Sequence, residues 1–339
     1  MTTIDWDRVR KGVERERQKM IWRPYGLPTI LDLENTAYHD APISEAWDLP
    51  DRLAVSVTIT GAFFQKSQNP GQPVTTQEIL DAARSVVEAG ASTVHIHVRD
   101  DNGYNTLSLE RFAQVIEPLH AEYPDLVVDG CLVPALDGEW DEMRRVLDSG
   151  LLDAAPVNST ATYIGDSLFV KPTPILLEKT RLIVESGAKP EIAVYTDADV
   201  SNADRYLLRS GLVAPGAVWV ILPALPGCSP MDNPRQMVEG LTRNIGLIRD
   251  VDPNGIILVS AAGRASMHLA TLAATLGVHV RVGMEDTYFK WPHREDRLES
   301  NAEALRLAHS IADALGRPIA TPAEYRQLLG LGVRQVQTA

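Results

Sequence analysis

From about residue 52 the chain alternates between two rhythms. Short runs of β-branched and aliphatic residues are followed by longer stretches in which apolar positions recur every three or four residues, the periods of strand and helix respectively. The runs predict strands at 53–60, 92–98, 126–130, 152–157, 191–196, 217–223, 255–261 and 278–284. Helix signals fall between them: Thr75-Thr76 ahead of Gln77-Glu78, and Ser108 ahead of the Leu109–Tyr123 stretch. Gly90, Gly150, Gly187, Gly211 and Gly277 each follow a helical stretch, where a left-handed residue satisfies the last carbonyls. Strand and helix alternating in one direction is the signature of a parallel sheet built from βαβ units. Eight such units predict closure into a (β/α)8 TIM barrel. An open doubly wound sheet usually has fewer strands and a phosphate-binding glycine loop, and neither GxGxxG nor GxxxxGK[ST] follows any strand here. The stretch Asn301–Leu315 reads as the eighth helix, and a capped helix beginning near Thr321 as a C-terminal cap.

Residues 1–51 do not share this pattern and read as an N-terminal arm, leaving 52–339 as the catalytic barrel. The arm combines a charged helical stretch, Asp5–Met20, with a segment punctuated by Pro24, Pro28, Pro42 and Pro50.

Composition narrows the class of partner. Apolar residues make up 45% and charged residues 23% of the 339, as in an ordinary globular protein. A formal charge of −13 argues against general affinity for nucleic acid or anionic membranes, so a small molecule is the expected ligand. Cys131 and Cys228 are the only cysteines and form no CxxC pair. With no apolar leader and no apolar run of the ~20 residues that cross a bilayer, a cytoplasmic protein with reduced thiols is expected.

In a barrel of this kind functional side chains gather where strands end. The second strand ends His95-Ile96-His97-Val98-Arg99-Asp100, the seventh Ala262-Gly263-Arg264, the eighth Gly283-Met284-Glu285-Asp286. Strand alternation turns His95 and His97 to one face while Val94, Ile96 and Val98 face the helices. A lone buried histidine is more often structural, but two at i and i+2 on an interior strand favour metal binding. The same parity places His279, Arg281, Gly283 and Glu285 inward on the eighth strand, which neighbours the first two in a closed barrel. Glu285 then completes a site of two imidazoles and one carboxylate with an open position, the donor set of catalytic zinc. Arg264 follows a run of small residues and, as a cation, would orient Asp286 or bind a substrate carboxylate. His39, His120, His268, His293 and His309 read as structural or surface groups.

At these motifs the chain resembles the β-keto acid cleavage enzyme family. The resemblance rests on TITGA (58–62), EAGASTVHIHVRDDNG (88–103), the PGC after the sixth strand, AAGR (261–264), HVRVGMED (279–286), SNAE (300–303) and the tail LGRPIATPAEYRQLLGL (315–331). It implies a zinc-dependent barrel enzyme, homotetrameric in known members, that condenses a β-keto acid with acetyl-CoA and releases acetoacetate and a new acyl-CoA. Carried over by motif, His95, His97 and Glu285 take the metal positions, Asp286 that of the base, Arg264 that of its partner, and Asn158 a substrate contact. At other pocket positions the chain departs from the branch that cleaves 3-keto-5-aminohexanoate. Phe63 and Ala193 stand where that branch has glutamates, Cys131-Leu132-Val133-Pro134 replaces Ser-Thr-Gly-Gly, and Pro156 replaces a threonine. Phe63, Cys131, Pro134 and Pro156 are therefore expected to shape a pocket for a different, non-cationic keto acid.

Two other functions compete. An amidohydrolase-like hydrolase also uses HxH in a barrel but needs further histidines on middle strands, and none lies between His120 and His268. A catalytically silent metal-binding barrel would have no use for Asp286 and Arg264. Cys131 as a nucleophile lacks an evident base, so a structural thiol is the simpler reading.

Overall fold

The eight β-branched runs become eight parallel strands of one closed barrel: β1 (Val55–Thr58), β2 (Thr93–Ile96), β3 (Val127–Gly130), β4 (Ala154–Asn158), β5 (Lys189–Val194), β6 (Val218–Ile221), β7 (Ile256–Ser260) and β8 (His279–Gly283). β1 pairs with both β2 and β8, which closes the ring. In this computed structural model residues 4–19, 46–164, 167–225 and 228–334 are described. Two units are distinguished, Met1–Leu49 and Pro50–Ala339. The first contains helix α1 (Trp6–Lys19). Pro24, Pro28, His39 and Pro42 of the arm, and Pro226 and Gly227 of the PGC motif, lie outside the described residues. Among the described residues no helix is long and apolar enough to cross a membrane.

Strand alternation sorts the core into two layers. Val55, Val57, Ile59, Val94 and Ile96 point outward into a large apolar cluster shared with the helices. Inward-facing Ala54, Val127, Val218, Val220 and Leu258 form a second cluster inside the barrel. The helices of the outer ring are α2 (Thr76–Glu88), α3 (Leu109–Glu122), α4 (Glu139–Asp148), α5 (Thr173–Glu185), α6 (Asp197–Ala203), α7 (Pro234–Val251), α8 (Ser266–Thr275) and α9 (Asn301–Ala314). In α2 the capping box between Thr75 and Glu78 satisfies the free N–H groups, while Ile79, Leu80, Ala83, Val86 and Val87 bury one face. Each of the larger of these side chains contributes about 1.5–3 kcal/mol by leaving water. The five glycines at helix ends all adopt positive φ, between 70° and 94°, as their positions predict.

The last helix, α10 (Pro322–Leu328), closes the bottom of the barrel: Tyr325 and Leu329 pack with the inward-facing strand residues. Arg326 fixes it there, donating to the carbonyls of Asp125 and Leu126 and pairing with Asp153. The interior is therefore filled from below.

Most strands are shorter than the apolar runs, and residues past their C-terminal ends build the loops of the mouth, whereas β5 starts two residues early, at Lys189. The second run was expected to continue to 98, but β2 ends at Ile96 and Val98–Arg99 pairs antiparallel with Asn105–Thr106. The reversal is made by Asp100, whose Oδ1 accepts from the N–H groups of Asn102 and Tyr104. A second antiparallel hairpin, Ala161–Ile164 with Ser167–Val170, follows β4.

Candidate active site

Register places the chemistry on one level of the barrel. Thr58 on β1 is paired with Gly283 on one side and His95 on the other, and His95 with Asp129 on β3. His97 lies one residue beyond β2, directly above His95, and the two rings meet edge to face with centroids 5.2 Å apart.

Both imidazoles are held from behind. His95 Nδ1 faces the Asp129 carboxyl, and His97 Nδ1 donates to Asn105 Oδ1 at 2.7 Å. The hairpin after β2 thus delivers Asn105 to His97. With Nδ1 engaged, each ring turns Nε2 to Glu285, at 3.2 Å from His95 and 3.3 Å from His97. The ligating atoms of His95, His97 and Glu285 all lie within 4.8 Å of one another.

These residues fit a metal ion on grounds internal to the protein. His97 Nε2 and Glu285 Oε2 are buried and make no hydrogen bond, so two strong polar groups lack a partner where the donors converge. Burial pushes His95 down to about 4, which keeps its ring neutral and its Nε2 lone pair free. Burial alone would raise Glu285, but Arg281 and the two histidines outweigh it and hold the carboxylate ionised. A Cβ on Gly61 would stand 2.5 Å from Glu285 Cγ, so the glycine of TITGA makes room for the carboxylate. Two imidazoles whose Nδ1 atoms are engaged and a carboxylate are the donor set and support of a catalytic divalent ion. Burial alone would lower His97, but Cys131 and Glu285 outweigh it and hold its ring well above the usual imidazole range, so an ion would displace a proton there.

Asp286 lies beside this cluster, 3% exposed. Its partner is Arg281, which donates from Nε to Oδ2 at 2.8 Å and from Nη2 to Oδ1 at 2.9 Å, and also reaches Glu285 Oε1 at 2.7 Å. Thr58 Oγ1 adds a long hydrogen bond to Asp286 Oδ2, 3.4 Å. The expected pairing of Asp286 with Arg264 is not made. Arg264 is 44% exposed, pairs with Glu295 at 3.0 Å and stacks on Phe289. The AAGR motif reaches Asp286 through its backbone instead: Gly263 N donates to the Asp286 carbonyl at 2.9 Å. Arg264 lies in the turn between β7 and α8, whereas Arg281 sits on an inward position of β8.

The expected substrate positions are spread more widely. Asn158, at the end of β4, is buried and donates to Tyr195 Oη at 3.4 Å, leaving its own Oδ1 without a partner. Cys131 follows β3 and its N–H donates to the Ile96 carbonyl at 3.1 Å, which places it beside the end of β2, a neighbour that spacing alone did not reveal. Pro156 is on β4 in register with Glu191, and Pro134 is half-buried in the loop after β3. Phe63 is 69% exposed.

The remaining described histidines lie elsewhere. His279 accepts from Ala54 N inside the barrel, His120 lies 3.8 Å from Asp153, His309 meets the Ala89 carbonyl, and His268 packs against His293. Arg99, fully buried, donates to the carbonyls of Gly61, Phe64 and Gly103 and ties the mouth loops together. Sequence reading did not assign supporting roles to Asp129, Asn105 or Arg281. Parity on β3 and β8 is the signal that marks Asp129 and Arg281.

Comparison with known proteins bears on this site. A family model described as beta-keto acid cleavage enzyme matches residues 52–331. The 3-keto-5-aminohexanoate cleavage enzyme of Acetoanaerobium sticklandii is 30% identical over 282 residues, 83% of this chain and 99% of that protein. The 3-oxoadipate:acetyl-CoA acetyltransferase of Cupriavidus necator is 26% identical over 278 residues, 82% of this chain and 94% of the relative. Among solved structures, the binary complex of ObcA with oxaloacetate superposes with a TM-score of 0.65 at 17% identity, covering 78% of this chain and 68% of that one, a likeness of fold.

Proposed function

The chain belongs to the β-keto acid cleavage enzyme family, and we propose that it is a zinc-dependent transferase that condenses a β-keto acid with acetyl-CoA and releases acetoacetate and a new acyl-CoA. The observation that carries this reading is the convergence of His95, His97 and Glu285, with unpartnered ligating atoms, beside an Asp286 clamped by Arg281. The names of the relatives, which couple keto acids to acetyl-CoA, support the co-substrate.

A divalent ion held by His95, His97 and Glu285 would supply Lewis acidity beside a bound carbonyl, lowering the barrier to deprotonation of the adjacent carbon. Asp286 takes that proton. Its carboxylate is fixed in direction by the two hydrogen bonds from Arg281, so the oxygen that accepts the proton is already oriented. The carbanion, C2 of the keto acid, attacks the thioester carbonyl of acetyl-CoA and CoA thiolate leaves. The thiolate then adds to the original keto carbon, the C2–C3 bond breaks, and Asp286 returns its proton to C2. Acetoacetate forms from the acetyl group plus C1 and C2, and the rest of the acid leaves as its CoA thioester. Arg281 stays charged throughout, because Asp286 and Glu285 more than offset the cost of its burial. The departures at Phe63, Ala193 and Pro156 remove acid and hydroxyl groups from the pocket and favour a keto acid other than the cationic 3-keto-5-aminohexanoate.

The first half of the cycle is tested by solvent deuterium exchange into C2 of a β-keto acid without acetyl-CoA. The metal-loaded protein is expected to catalyse exchange, and Asp286→Asn to lose about 10²–10⁴-fold while keeping its metal. Exchange at the wild-type rate in that variant would remove Asp286 as the base.

A further inference from the structure

Among the described residues Lys171 and Lys179 have neither a carboxylate partner nor, unlike Arg99, carbonyls that take up their charge. Lys179 is 4% exposed, on the inner face of α5 with Leu176 and Ile183, and its Nζ makes no hydrogen bond. Lys171, just before α5, is half-buried with Nζ 4.8 Å from the centre of the Phe169 ring. Among the described residues no carboxylate pairs with either. In a chain with 45 Asp and Glu against 32 Lys and Arg, anionic partners are plentiful. Two desolvated ammonium groups left without one are costly to the fold, and a ligand anion would complete them.

The neighbours of Lys171 place it at the expected substrate positions, and Lys179 follows eight residues later on the buried face of α5. The hairpin after β4 lays Phe169 edge-on against Tyr195, with ring centroids 5.7 Å apart, and the Tyr195 hydroxyl accepts from Asn158. Lys171, Phe169, Tyr195 and Asn158 are thus successive members of one wall of the mouth, at the ends of β4 and β5. Burial pushes Lys179 down to about 7, and the charge of Lys171 adds to the effect, so the two ammonium groups feel one another. The acid groups that the aminohexanoate branch carries are replaced here by Phe63 and Ala193. The pocket thus lacks glutamates at those positions, and Lys171 is a cation on its β4–β5 wall.

We propose that Lys171 and Lys179 form a carboxylate-binding subsite for the end of the substrate remote from the reacting carbon, so that the acid cleaved is a β-keto dicarboxylate. This rests on the reaction proposed above, and the test separates the two. The metal-loaded protein and its K171M and K179M variants are assayed with acetyl-CoA and either 3-oxohexanedioate or 3-oxohexanoate, which differ only in the terminal carboxylate. Wild type is expected to favour the dicarboxylate in kcat/KM by at least about tenfold, and each variant to lose about tenfold of that ratio, through KM. A ratio near one in wild type, or unchanged in both variants, overturns the subsite. Methionine keeps the length of the lysine stem without its charge, and the half-exposed Lys171 provides a second position if K179M folds poorly. Calorimetric binding of adipate and hexanoate to the same proteins is independent of turnover. Adipate bound more tightly than hexanoate by wild type, with the advantage lost in the variants, upholds the subsite even if neither keto acid reacts, in which case the proposed reaction alone fails. Equal binding of both acids by all three proteins overturns it.

Discussion

Replacing Arg281 and Arg264 in parallel distinguishes the partner of Asp286 that the fold provides from the one its sequence neighbourhood suggests. Arg281→Met removes a side chain 7% exposed and leaves Asp286, 3% exposed at its side chain, and Glu285, 14%, without their shared cation. Breaking a buried pair from one side costs about 3–5 kcal/mol, since the remaining charge keeps its desolvation penalty. Arg264→Met instead removes a side chain 44% exposed whose partner Glu295 is 81% exposed. Such a pair is worth about 0–1 kcal/mol. Its stacking on Phe289 adds about 0.5–1 kcal/mol. Urea unfolding in the presence of a chelator should therefore show a loss for Arg281→Met several times that for Arg264→Met. At a few degrees per kcal/mol, the thermal midpoint should drop by roughly 5–15 °C in the first case and by no more than a few degrees in the second. Turnover should follow the same order: a carboxylate released from its clamp is misplaced by an ångström or more, which costs about 10²-fold. Equal losses in the two variants, or a larger one for Arg264→Met, would refute the assignment of Arg281.

Metal content separates donors from supports. His97→Ala and Glu285→Ala should purify with metal at background by elemental analysis, and retention in either removes that residue from the donor set. Asp129→Asn, which leaves the His95 ring in place but weakens its acceptor, should lower metal affinity about 10–100-fold in a chelator competition; unchanged affinity would deny Asp129 its role. Stability should also depend on pH through His279. Burial, aided by Arg317, pushes this imidazole down to about 4 from its ordinary 6.5. Between those values the unfolded chain binds a proton that the folded one refuses. The stabilisation is therefore complete above 6.5 and declines as pH falls toward 4, by at most about 3 kcal/mol. His279→Gln keeps an acceptor for the Ala54 N–H and should flatten that acid limb; urea midpoints falling in parallel for both proteins between pH 7 and 4.5 would contradict it.

Much of the fold was legible because strand alternation and helix punctuation are local. Val94, Ile96, Val55 and Val57 mark one face of β1 and β2, and the same parity that puts them outward turns His95 and His97 inward. Glu285 followed from parity on β8 and from closure of the barrel. Arg264 was selected by its motif, beyond the end of its strand where parity says nothing, and the fold pairs it with Glu295 and Phe289. The hairpin that brings Asn105 to His97 is hidden in a short polar turn, Asp100–Gly103, whose strands are two residues each. Lys179 looked like an ordinary helical lysine, although its spacing from Leu176 and Ile183 sets it on the buried stripe of α5. The place of Cys131 beside the end of β2 required the three-dimensional adjacency of β2 and β3.

The most direct test of the central claim is to follow a carbon label through one turnover. Metal-loaded protein is given a β-keto dicarboxylate and acetyl-CoA labelled with ¹³C in both acetyl carbons, and the products are analysed by mass. The account predicts acetoacetate carrying both labelled carbons, at C3 and C4, together with an unlabelled acyl-CoA two carbons shorter than the acid supplied. If only free acetate and CoA, or a decarboxylated ketone, accumulate across a panel of β-keto acids while the metal remains bound, the account is wrong.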